Sequence, residues 1–329
     1  MNNSTSSICS SNQTEIDVLV WQIGALLFPI VGIPGHLLMI ITMLMSNRRR
    51  SQPTSLYFIF ISVTETIYLL FIFWDWLDAV NLVRDPRQVL DCGLFYPFVH
   101  GTGFISLIIF VQLNIDRICM ISKPQQTYSC LTRKRILVKI TLAFSTLLLF
   151  IFHYRFSLHY DSNGFIIYGQ SCRVRERAHR WYYSIWPYIH LICRLTPCVL
   201  LIYCTIYIFY NRYYENNDRK TSSHRQQQKF SLVLVVVGIY TLTALIPITI
   251  LQIFNQTMWK YEFECFSCHC IENNILAKNW KLLNALCIMW ETSIYMNKFY
   301  IKYLFSSDFR YDVKQVMFYR NTTETTNRN

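Results

Sequence analysis

The chain has 329 residues, is 53% hydrophobic, has only 15% charged residues and carries a net charge of +12. A soluble protein of this size would usually carry about 25% charged residues, so an ordinary soluble domain is excluded. The excess lysine and arginine falls in short segments between apolar runs, where it meets anionic lipid, and it gives a nucleic-acid partner no support.

Residues 1–17 read as a polar tail with Asn-x-Ser/Thr acceptors at Asn2, Asn3 and Asn12. Seven apolar runs follow, at roughly 18–45, 54–80, 90–121, 136–154, 182–210, 229–254 and 279–305. Each reaches the about 20 residues that span a bilayer as a helix, and the alternation of a barrel strand is absent. The first run lacks the basic flank and short core of a cleavable leader, and reads as a signal anchor. Arg48-Arg49-Arg50, Arg133-Lys134-Arg135, the Arg212–Lys229 segment and the residues from Lys302 onward all fall on one side of the seven spans. The positive-inside rule makes that side cytoplasmic and the N-terminus extracellular. The expected fold is an all-α membrane protein: a seven-transmembrane-helix bundle over 18–305, then a short amphipathic helix and cytoplasmic tail over 306–329.

Charged residues inside the runs are the first functional candidates, because an ionisable group at membrane depth must be paired or used. They are Glu65 in the second run, Arg194 in the fifth and Glu291 in the seventh. Arg194 and Glu291 would pair with each other or contact a ligand. His36 lies at a depth similar to Glu65 and could hydrogen-bond towards it; a satisfied core histidine is the plainer reading. The third run begins near Cys92 and ends at Asp116-Arg117-Ile118. From Cys92 to Arg117 a helix rising about 1.5 Å per residue covers roughly 37 Å. That exceeds a hydrocarbon core of about 30 Å and sets the cysteine at one face and the Asp-Arg pair at the other.

Between the fourth and fifth runs, Phe156–Tyr160 and Phe165–Tyr168 flank Asp161-Ser162-Asn163-Gly164. Asn-Gly between such runs predicts a β-hairpin. Arg173, Arg175, Arg177 and Arg180 then make a basic rim, facing the acidic Asp75, Asp78, Asp85 and Asp91. A mouth of mixed charge suits a peptide. The Cys265-x-x-Cys268-His269-Cys270 cluster offers either disulfide partners, one of them for Cys9, or a zinc site. Cys119, Cys193, Cys198, Cys204 and Cys287 read as small buried hydrophobes.

Cys92, Asp116-Arg117-Ile118 and Pro124 together resemble the third helix of rhodopsin-like G-protein-coupled receptors, and the resemblance extends by topology over almost the whole chain. It implies a disulfide between Cys92 and Cys172, a switch formed by Asp116, Arg117 and Pro124, and helix kinks at Pro197 and Pro247. Arg117 paired with Asp116 would hold the inner face closed, and Arg117 released would contact a G-protein. Glu65 stands where the family has Asp, and Ser106 matches another residue of the family's sodium shell. Either a sodium ion near Glu65 or a protonated Glu65 bonded to Ser106 follows; no other metal is implied.

Departures are as informative. Leu245 takes the place of the family's toggle Trp, two residues before Pro247. The seventh helix reads Asn297-Lys298-Phe299-Tyr300-Ile301-Lys302-Tyr303 against the family's Asn-Pro-x-x-Tyr. One register puts Lys298 at the Asn, the other puts it at the Pro. Ser306–Arg310 resembles the start of the eighth helix, with Phe309, Val313 and Val316/Met317 as a stripe for the membrane surface. The third helix lacks the Asp of amine receptors, and no lysine stands at the retinal position.

The function so implied is a plasma-membrane receptor for a neuropeptide, acting on a heterotrimeric G-protein and not an enzyme. The alternatives are a chemosensory receptor for small molecules on the same scaffold, or a seven-span membrane enzyme or transporter.

Overall fold

The computed structural model describes residues 16–122, 132–166, 169–215, 222–262 and 275–326. Seven long helices cover it: α1 (Ile16–Met45), α2 (Ser55–Ala79), α3 (Cys92–Ser122), α4 (Arg133–Ser157), α5 (Trp186–Glu215), α6 (Ser222–Glu262) and α7 (Ile275–Phe305). A further helix, α8 (Ser307–Thr326), follows. Five of the bundle helices are long and apolar enough to cross a membrane on their described residues alone. The other two, α4 and α7, have the length, at 25 and 31 residues.

At three helix starts a side chain supplies what the backbone lacks. Thr132 caps α4 by accepting from the Arg135 amide. Asp85 caps the short helix Pro86–Leu90, which has proline in its first turn where a missing N–H costs nothing. Ser306 Oγ accepts from the Phe309 amide at 3.2 Å and opens α8. A π-helical turn, Trp181–Ile185, leads into α5. Pro197 and Pro247 lie inside α5 and α6, each removing one backbone donor mid-helix.

Packing runs in sequence around the bundle, with α1 against α2 and α7, α3 against α2, α4 and α5, and α6 between α5 and α7. The largest buried cluster centres on α3, with Ile109, Phe110 and Leu113 meeting Tyr57, Ile136, Leu201 and Leu234. Apolar side chains on the outside stay exposed, among them Leu142, Val199, Ile206 and Leu304. That is the pattern of a bundle whose outer solvent is lipid.

The hairpin exists, with a different turn. Strand β1 (Leu158–Ile166) pairs antiparallel with β2 (Gly169–Val174), matching Tyr160 to Cys172 and Ile166 to Gly169. Asn163-Gly164 is therefore within β1, in an irregular stretch between Tyr160 and Phe165, and not at the turn. Pairing from the Cys172 anchor sets the register, and it overrides the local Asn-Gly signal.

In α8, Phe309 and Val313 pack against Met39, Met43 and Phe299, while Met317 is exposed. Only the far end of the expected membrane stripe is free, because Arg49 Nε binds Asp312 at 2.6 Å and draws the first turns into the bundle. Among the five cysteines read as buried, Cys198 and Cys204 are, Cys193 and Cys287 are half-buried, and Cys119 is exposed. Pro124, Asn2, Asn3, Asn12, Cys9 and the Cys265–Cys270 cluster lie outside the described residues.

Candidate functional site: a cavity above a charged core

Cys92 and Cys172 form a disulfide with their Cα atoms 6.0 Å apart, and both are fully buried. It fastens the hairpin to the first turn of α3, among Phe95, Tyr96, Tyr154 and Leu158. The acidic residues expected around the mouth are engaged in structure. Asp75, Asp85 and Asp78 gather on Arg87, at 2.5, 3.2 and 3.9 Å. Burial works against the Arg87 charge, but Asp75, Tyr96 and Asp85 outweigh it and hold its pKa above the ordinary arginine value. Asp91 binds Arg155 at 2.6 Å and the Tyr160 amide at 3.1 Å, tying α3 to the hairpin. Arg173, Arg175, Arg177 and Arg180 are exposed, as a basic rim requires.

Beneath this mouth lies a cavity of about 990 Å³. Its upper wall includes Asp75, Arg87, Tyr182 and Tyr183, and its floor includes Phe104, Leu245, Glu291 and Tyr295. Arg194 and Glu291 meet here at 3.1 Å, joining α5 to α7, with the guanidinium 5.9 Å from the Phe104 ring. Gln252 lines the same cavity, and its buried Oε1 has no hydrogen-bond partner among the described residues. Leu245 is on the floor, where the aromatic rings are those of Phe104 and Tyr295, the latter 4.3 Å from the Tyr68 ring. Tyr295 reaches α3 over Gly103, where an added Cβ would stand 2.8 Å from its hydroxyl.

Removing one partner of the Arg194–Glu291 pair leaves a poorly solvated charge, worth about 3–5 kcal/mol in a buried setting. Arg194→Met or Glu291→Gln alone is expected to lower the unfolding midpoint of the purified chain. The double replacement Arg194→Met/Glu291→Met is expected to recover most of the loss, and additive losses would show that the pair is not coupled.

One helical turn below the cavity, the charged core begins. Glu65, fully buried on α2, accepts through Oε1 from the Lys298 ammonium and from the Ser106 hydroxyl. Lys298 also donates to Ser106 Oγ at 3.0 Å. His36 Nε2 lies 2.5 Å from the Tyr295 carbonyl and 3.7 Å from Glu65 Oε2. Thus Lys298, and not Asn297, faces Glu65, which selects between the two registers of the seventh helix. Asn297 turns instead to Tyr240 on α6, donating to its hydroxyl at 2.7 Å.

At the far end, Asp116 and Arg117 are held apart. Asp116 accepts from the Tyr57 hydroxyl at 2.6 Å and from Lys139 of α4. Arg117 donates to Ser231 Oγ of α6 from Nε at 3.1 Å and Nη2 at 2.9 Å, with its guanidinium 5.6 Å from the Phe230 ring. The expected Asp116–Arg117 pairing is thereby replaced, because Lys139 and Tyr57 supply the carboxylate's partners. Lys302 sits 3.2 Å from the Phe58 ring centroid and 4.9 Å from that of Phe309.

The model of the family described as seven-transmembrane receptors of the rhodopsin family matches residues 37–289. The chain belongs to the rhodopsin family. No match is found among curated proteins. The receptor is a multi-pass membrane protein of a non-enzymatic family, which removes the enzyme alternative.

Of the residues singled out in its sequence, the receptor brings Glu65 to Ser106, Arg194 to Glu291 and Cys92 to Cys172. It separates Asp116 from Arg117. Four features of the site are not legible in the sequence alone: Lys298 on Glu65, Lys139 on Asp116, Ser231 on Arg117 and Tyr295 on the cavity floor. Only Lys298 left a signal, since counting back from Phe309-Arg310 puts it where the family has the Asn. The other three depend on which helix faces turn towards each other.

Proposed function

We propose that the receptor sits in the plasma membrane with its N-terminus outside, binds a neuropeptide at the Cys92 end and acts on a heterotrimeric G-protein at the Arg117 end. The observation that carries this reading is the 990 Å³ cavity with ion pairs at two levels, Asp75–Arg87 near the mouth and Arg194–Glu291 on the floor. An extended ligand with separated polar groups can answer both levels, whereas a small odorant-like molecule would engage one. The exposed arginine rim adds steering for acidic side chains. Gln252, with an unsatisfied buried oxygen, supplies an acceptor for a backbone or terminal amide of the ligand.

Binding shifts the receptor towards an open state only if the ligand touches the two states differently. Tyr295 is suited to sense this, since its side chain lines the cavity and its carbonyl is bonded to His36 in the core. A peptide-library screen against cells carrying the receptor and a promiscuous G-protein reporter tests the reading. Responses to peptides that are lost in Arg194→Met support it. Responses confined to small volatile or apolar molecules would transfer the function to chemosensation.

A further inference from the structure

Lys298 and Glu65 make an unusual pair for a membrane interior. Lys298 is 8% exposed and Glu65 is fully buried, so neither charge has water to fall back on. The ammonium donates to Glu65 Oε1 and to Ser106 Oγ, and the Phe110 ring centroid lies 5.3 Å from Nζ. Helices α2, α3 and α7 therefore converge on one nitrogen, and α1 adds His36 at the carboxylate's other oxygen. One carboxylate and one ammonium sum to zero.

We infer that Lys298 is a tethered counter-ion which takes the place of a free sodium ion in this core, making the receptor's stability indifferent to sodium. A sodium ion beside Glu65 needs the oxygens of Glu65 and Ser106 as ligands. The ammonium already takes Glu65 Oε1 and Ser106 Oγ, leaving Glu65 Oε2, 3.7 Å from His36 Nε2, as the one carboxylate oxygen without a hydrogen-bond partner among the described residues, and it carries the same charge as the ion. Where the dielectric is low, two cations on one carboxylate repel strongly. The residues present therefore do not fit a sodium ion, because a tethered cation already holds the site. A free ion can leave when the bundle rearranges. Lys298 stays tethered to α7, so it leaves Glu65 only by a change of its own side-chain rotamer or by movement of α7. Tyr295 precedes Lys298 by one turn on that helix and touches the cavity, so a displacement of its ring bears on the same helix as the clasp.

The test uses the full receptor in lipid nanodiscs and sodium alone as the probe. Thermal unfolding midpoints are compared in sodium chloride and in N-methylglucamine chloride at equal ionic strength. The unaltered receptor is expected to give the same midpoint in both. Lys298→Asn, which frees Glu65 and Ser106, is expected to be less stable in N-methylglucamine and to regain stability as sodium is added. The double variant Glu65→Gln/Lys298→Asn is expected to lose that sodium response. A midpoint of the unaltered receptor that rises specifically with sodium, or a Lys298→Asn midpoint that ignores it, overturns the assignment. Should Lys298→Asn fail to fold in either salt, surface delivery of Glu65→Gln/Lys298→Gln decides. Delivery above that of either single variant upholds the pairing, and delivery no better than theirs overturns it.

Discussion

Replacing Cys92 with alanine is expected to abolish surface delivery of the receptor and to lower its stability by about 2–5 kcal/mol. The disulfide joins residues 80 apart in sequence, so its loss frees a long loop in the unfolded chain. The folded state loses as well. Cys172 fixes the register of β2 against Tyr160 of β1, and the hairpin lies against the cluster of Phe95, Tyr96 and Tyr154. Without the anchor, the pairing that displaces Asn163-Gly164 from the turn has nothing to enforce it. The double replacement Cys92→Ala/Cys172→Ala is expected to match the single, because the effect is loss of the tether and not exposure of a stray thiol. Labelling of an epitope-tagged chain on intact cells, with thermal unfolding of the purified protein, measures both. Normal delivery and an unchanged midpoint in Cys92→Ala would sink the claim.

The second large effect is at the opposite end. Arg117 is held to α6 by two hydrogen bonds to one serine hydroxyl. Hydrogen bonds to a charged group contribute about 1.5–3 kcal/mol, and about 1.4 kcal/mol is a tenfold change in an equilibrium. Ser231→Ala is therefore expected to raise ligand-independent G-protein turnover by about tenfold or more, by releasing α6 from α3. Arg117→Ala is expected to remove stimulated turnover while leaving the disulfide, the cavity and ligand binding intact. Nucleotide exchange on purified G-protein reads both variants. Unaltered stimulated exchange in Arg117→Ala would refute the proposed coupling, and silent Ser231→Ala would show that this contact is not what restrains α6.

Long-range identity was easy to read from the chain, because it rests on length, hydropathy and the sign of charge. Seven runs, the Cys92–Arg117 spacing and the isolated Glu65, Arg194 and Glu291 are each visible one residue at a time. Partner choice was harder. Asp116 and Arg117 are adjacent in sequence and so invite pairing, yet successive residues on a helix point in directions about 100° apart. Each then takes what its own neighbouring helix offers, Lys139 from α4 and Ser231 from α6. Likewise Asn163-Gly164 is a strong local turn signal that lost to a covalent anchor nine residues away.

By itself the sequence determined that this protein is a helical membrane bundle of the rhodopsin type, with its basic segments gathered on one side and charges inside the membrane that had to be paired. It did so because the hydrocarbon core sets the helix length and penalises every unpaired charge, whatever the rest of the fold. Which charges pair was decided by the tertiary structure alone. Lys298 and Glu65 are 233 residues apart. Only the packing of α7 against α2 and α3 brings an ammonium onto a carboxylate that the chain alone left open to a sodium ion or a proton.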